Sequence, residues 1–188
     1  MCDGDPAGLN CSWPYIVKTD GPSGTRRMMW WVFQQAIDRG ADRLIYCEDD
    51  LIVSRNAVRT IRECKIDNYH AFITFYDYKE FPRRTWKPGL NHVYGMGKYS
   101  AGLWGSQCLL VPRRTIEWAL QKHPDEWCKA YPNLPWAVSI NAGDCSLTAA
   151  IQTSPSPCFY VHQPSLVDHV NGPSAVGHLG SKAAFFVY

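Results

Sequence analysis

Apolar positions along the chain fall into short runs separated by glycine, proline and polar residues. Residues 1–14 are turn-rich and read as loop, and Tyr15–Thr19 as a short strand ending at the turn 20–24. Thr25–Arg39 follows as a helix. Its MMWWVFQQAI core is apolar on most sides, which predicts a buried helix, and Gly40 supplies the stop. Arg43–Cys47 (RLIYC) fits a central parallel strand that ends abruptly in Glu48-Asp49-Asp50. Ser54 is the expected N-cap of a helix through Cys64, with Ala57, Val58 and Ile61 on its inner face. His70–Tyr78 is rich in aromatic and branched residues and predicts a strand. Residues 79–100 lack periodicity and predict a long loop, which in a compact domain is usually functional. Leu103–Val111 predicts a strand, and Pro112 opens a helix through about Lys122. A Trp- and Pro-rich connection precedes a helix over Asp144–Gln152, then a strand near Cys158–His162. Strands alternating with helices predict a single α/β domain over 1–188, a mostly parallel sheet flanked by helices. Its core spans 15–178, with 1–14 and 179–188 as tails.

Composition narrows the function classes. Hydrophobic residues make up 46% and charged residues 19%, an ordinary globular balance. The formal charge of +2 is scattered, with no basic block longer than a pair, so a nucleic-acid surface is not expected. None of the 8 cysteines has the short spacing of a zinc knuckle or redox motif, and Cys47 and Cys108 lie inside apolar runs. Free thiols and a cytoplasmic location are therefore expected, with a disulfide framework as the alternative. The polar N-terminal residues do not read as a signal peptide, and the Asn10-Cys11-Ser12 sequon is taken as chance. No apolar stretch is long enough to span a bilayer.

Three adjacent carboxylates directly after an apolar strand repel one another unless a cation sits among them. In open α/β sheets, ligands bind at the carboxyl ends of the strands. Hard divalent cations such as Mg²⁺ or Mn²⁺ prefer oxygen ligands and leave places for substrate phosphates. A solvated acidic turn is the alternative reading. Asp144 opens a helix, where it can cap free N–H groups or, its negative charge favoured by the dipole, serve as a base. The small residues around Trp104-Gly105-Ser106 let a ligand approach the backbone, and Trp104 could stack on a sugar; an ordinary strand start is the alternative. Arg26 and Arg27 begin a helix, where backbone N–H groups favour anions. Arg83, Arg84, Lys87 and Lys98 could close over a diphosphate or be a solvated loop.

The run LIYCEDDLIV resembles the metal-binding acidic motif of GT-A-fold glycosyltransferases, in the EDD variant of the bacterial lipopolysaccharide and collagen-galactosyl type families. A second likeness is Pro164–Ser174 (PSLVDHVNGPS), similar to a segment in which a histidine closes the metal site from the opposite side. The resemblance implies Asp50 and then Asp49 as metal ligands, with His169 as their distant partner. It also implies Glu48, with Arg26, Arg27 and Asp20, on the donor side, and Trp104, Gly105 and Ser106 on the sugar or acceptor side. Asp144 would be the catalytic base of an inverting enzyme. The implied cofactor is Mn²⁺ or Mg²⁺, and the implied partners are a nucleotide-sugar donor and a glycan or other hydroxyl acceptor. The family's opening strand and helix, whose loop holds the nucleotide base, have no counterpart here, so an N-terminally short version is expected. Two other functions fit clustered carboxylates: a metal-dependent phosphohydrolase or nucleotidyltransferase, and a non-catalytic saccharide- or partner-binding domain.

Overall fold

The computed structural model describes residues 25–48, 51–66, 71–76, 87–94, 106–122, 143–155 and 157–169. Helix α1 (Thr25–Asp38) leads into β1 (Arg43–Cys47), β2 (Leu51–Val53) and α2 (Ala57–Glu63). Strands β3 (Ile73–Thr74), β4 (Gly89–Tyr94) and β5 (Cys108–Pro112) follow, then α3 (Arg113–Gln121) and α4 (Gly143–Gln152), and finally β6 (Cys158–Gln163) and β7 (Val167–His169). The predicted strand at 15–19 lies outside the described residues.

Among the described residues five strands form one sheet in the order β1-β5-β3-β6-β4, and β2 pairs with β7 in a second, two-stranded sheet. This is an α/β fold, but the expected mostly parallel sheet is corrected. Among the described residues only β3 and β6 pair in parallel, while β1–β5, β3–β5 and β4–β6 are antiparallel. Buried apolar runs such as CLLVP report burial on both faces and carry no information about direction. Among the described residues β1 stands at one end of the order, paired antiparallel, rather than as a central parallel strand.

Alternation along each strand sends neighbouring side chains to opposite faces. One face presents Tyr46, Phe72, Leu109, Val111, Phe159 and Val161 to α1, α3 and α4. Phe72 and Phe159 stack there with ring centroids 5.3 Å apart. The other face presents Ile73, Phe75, Cys108 and Leu110 to α2 and the β2–β7 sheet. Trp118 Nε1 donates to the Ala150 carbonyl at 3.0 Å, tying α3 to α4. Thr115 Oγ1 donates to the Ala71 carbonyl at 2.7 Å, tying α3 to the start of β3.

Helix α1 ends as its sequence predicts. Gly40 has φ +71, and the Gly40 and Ala41 N–H groups donate to the Ile37 and Ala36 carbonyls, the paired bonds of a Schellman end. Its burial is one-sided: Met29, Val32, Phe33 and Ala36 are buried, whereas Arg27, Gln34 and Asp38 are exposed. Spacings of three and four bring the apolar set onto one stripe, so the fully buried helix is corrected. The expected Ser54 cap shifts to Asn56, whose carbonyl accepts the first helical bond, from the Thr60 N–H at 3.0 Å. Ala57 and Ile61 face inward, one turn apart, but Val58 is 53% exposed and leaves the expected inner face. The expected loop over 79–100 contains β4, which exists because β6 offers it a free edge. Among the described residues of the expected 70–78 strand, Ile73 and Thr74 form the ladder, and just beyond them the Thr74 hydroxyl donates to the Tyr76 carbonyl.

Candidate active site at one edge of the sheet

Strands β1, β3 and β6 end at the edge where β4 and β5 begin, since Cys47 lies opposite Cys108 and Gln163 opposite Gly89. Helix α1 is joined to β1 by residues 39–42 and α4 to β6 by 153–157, and both helices pack into the core on one face of the sheet. Arg26 and Arg27 lie in the first turn of α1, and Asp144 in the first turn of α4. Arginine in the first turn opposes the helix dipole, an arrangement that an anion in the same place relieves. Gly143 opens α4 and Asp144 follows it, so Asp144 stands inside the first turn and not at the expected cap.

Glu48 is held where β1 leaves the sheet. Its N–H donates to the Gln107 carbonyl at 2.9 Å, extending the ladder by one residue. The Ser106 hydroxyl donates to Glu48 Oε1 at 2.5 Å, in the range of a hydrogen bond to a charged oxygen. Ser106 is only 4% exposed, so the bond is shielded on its donor side. Two residues assigned to different sides of the site from sequence are thus one unit. Beside them Gln107 is 8% exposed, and its Oε1 finds no hydrogen-bond partner among the described residues.

The register of the small sheet is the other half of the site. Leu51, the residue after Asp50, pairs with His169, and Ile52 pairs with Asp168. This sheet hangs from the end of β3. The Leu166 N–H donates to the Phe75 carbonyl, and the Ser54 N–H to the Leu166 carbonyl, both at 2.8 Å. The chain position that follows the acidic triplet and the distant histidine are therefore brought together on the backbone. Asp49, Asp50, Asp20, Trp104 and Gly105 lie outside the described residues, as does the His169 side chain. Among the described residues no three His, Cys, Asp or Glu side chains form a metal cluster.

Sequence reasoning missed three groups here. Asp168, adjacent to His169, is buried. Its neighbour drew attention because of ligand chemistry, although a carboxylate inside an apolar segment is itself a signal. Gln107 follows a residue that was singled out and carried no signal of its own. Cys47 and Cys108 face each other across β1 and β5, with sulfurs 3.4 Å apart. The hydrogen bond with Cys108 holds the Cys47 thiol below the usual thiol range, and together with burial it pushes Cys108 well above that range. Nothing in local spacing links these cysteines; only the strand register does.

No protein-family model matches the chain, and no curated protein is significantly similar to it. Among the described residues no helix is long and apolar enough to cross a membrane.

Proposed function

We propose that the chain is a GT-A-like glycosyltransferase that moves a sugar from a nucleotide-sugar donor to an acceptor hydroxyl with inversion. The observation that carries this reading is the pairing of Leu51 with His169, which joins the end of the acidic triplet to the histidine segment. The donor set fits a divalent ion. Carboxylate oxygens with one imidazole suit Mn²⁺, and a carboxylate-rich set also accepts Mg²⁺. Asp50, Asp49 and His169 would hold the ion, which when bound supplies positive charge to offset that of the departing diphosphate. Glu48, fixed by Ser106, gives the donor side a carboxylate of set orientation. Arg26 and Arg27 add positive charge where a helix start already favours an anion. Asp144 would take the proton from the acceptor hydroxyl as that oxygen attacks the anomeric carbon.

The test is a screen of common nucleotide sugars for donor hydrolysis and transfer in the presence of Mn²⁺. Asp50→Ala is expected to abolish metal-dependent turnover, and Asp144→Asn to lower kcat by about 10²–10⁴-fold. Full turnover by Asp50→Ala at saturating Mn²⁺ would overturn the proposal. Metal-dependent release of nucleoside monophosphate to water, without sugar transfer, would instead assign the site to phosphoester hydrolysis.

A further inference from the structure

Cys47 and Cys108 are directly opposed on antiparallel strands, and neither is explained by the chemistry above. The ladder bond at this end belongs to the next pair, Glu48 and Gln107, so the cysteines occupy a non-hydrogen-bonded position. Cα atoms at such positions lie about 4.5 Å apart, within the span of about 4.4–6.8 Å that a disulfide bridges. The sulfurs are already 3.4 Å apart, and a bond needs about 2.05 Å. Small side-chain rotations and a slight approach of the strands close that gap. Access is asymmetric: Cys47 is half-buried, whereas Cys108 is 1% exposed.

We propose that Cys47 and Cys108 form a reversible redox site that closes to an intramolecular disulfide, pinning β1 to β5 one residue before Glu48. The oxidant is a small-molecule disulfide such as oxidised glutathione. Cys47, the accessible partner, attacks one sulfur as its thiolate, forming a mixed disulfide and expelling one glutathione thiolate. Cys108 then gives up its proton and attacks the Cys47 sulfur, expelling the second. The two protein thiols lose two electrons and two protons, and one glutathione disulfide becomes two thiols. The inference rests on register and distance and is independent of the function proposed for the site.

The full-length chain is equilibrated in buffers of graded reduced-to-oxidised glutathione ratio, quenched by alkylation, and mapped by peptide mass spectrometry. The expected result is a Cys47–Cys108 linked peptide that rises with oxidation, disappears on adding a dithiol reductant, and is lost in Cys47→Ser. The oxidised wild type is also expected to melt at a higher temperature than the reduced form, a shift that Cys47→Ser does not show. Cys108→Ala should leave a glutathione adduct at Cys47. If that buried substitution prevents folding, the wild-type and Cys47→Ser maps decide alone. Glutathione adducts at Cys47 in the wild type without the linked peptide, or linkage of Cys47 to a different cysteine, would overturn the proposal.

Discussion

Ser106 donates to Glu48 at the point where β1 leaves the sheet, and the two residues are 58 positions apart in the chain. Ser106→Ala removes the hydrogen bond that the buried hydroxyl gives to Glu48 Oε1. Hydrogen bonds to charged groups contribute about 1.5–3 kcal/mol, and a loss of that size is expected in urea unfolding of the variant. A loss near zero would mean that water replaces the hydroxyl. If Glu48 serves the donor, the same variant raises the donor KM more than it lowers kcat, because it frees a binding group and leaves Asp144 untouched. At this scale the sequence was informative about chemical type and silent about contact. An acidic triplet at a strand end is visible as a pattern, whereas its hydrogen-bond donor depends on β5 arriving at that end in one particular register.

Elements were legible where local chemistry decides them. Gly40 after α1 and Pro112 before α3 mark helix ends by their own backbone preferences, and both boundaries hold to within a residue. Strand β4 was not legible, because GLNHVY mixes polar and apolar positions and follows a proline. It is made by its partner β6, on which His92 stacks against Tyr160 with ring centroids 4.6 Å apart. The paired three-residue strands β2 and β7 are too short for any period to register. Strand direction was likewise invisible, since it depends on which edge the chain enters from. His92 gives β4 a pH signature. Desolvation by burial holds its pKa below the ordinary imidazole value. Between that lowered value and about 6.5 the unfolded chain binds more protons than the folded one, so stability rises with pH. The stabilisation is present above about pH 6.5 and is lost as pH falls through the lowered folded value. Thermal melts of His92→Phe across that range are expected to show a shallower fall on acidification than the wild type. Parallel curves would mean that the other histidines carry the whole effect.

On the scale of the whole molecule, the two ends of the sheet carry different groups. At one end lie Glu48, Ser106, Gln107 and the start of the β2–β7 sheet. At the other, Gly40 closes α1, and the Arg113 N–H donates to the Asp42 carbonyl at 2.8 Å, securing the α1–β1 and β5–α3 junctions together. Substitutions at the two ends should therefore separate stability from ligand response. A Cβ added at Gly40 meets nothing within 4 Å, so the cost of Gly40→Ala is that of the left-handed backbone alone. That cost is about 1–2 kcal/mol. If the proposed site binds metal, this variant is expected to unfold at lower denaturant while keeping the rise in melting temperature that Mn²⁺ with a nucleoside diphosphate gives the wild type. Asp50→Ala is expected to do the reverse, unfolding close to the wild-type midpoint in the absence of metal and losing the Mn²⁺-dependent shift. A ligand that binds only the folded state stabilises it according to its concentration over its Kd, so the shift reports the site and not the fold. If Gly40→Ala also abolished the metal response, the proposed site and the end of α1 at Gly40 would be coupled.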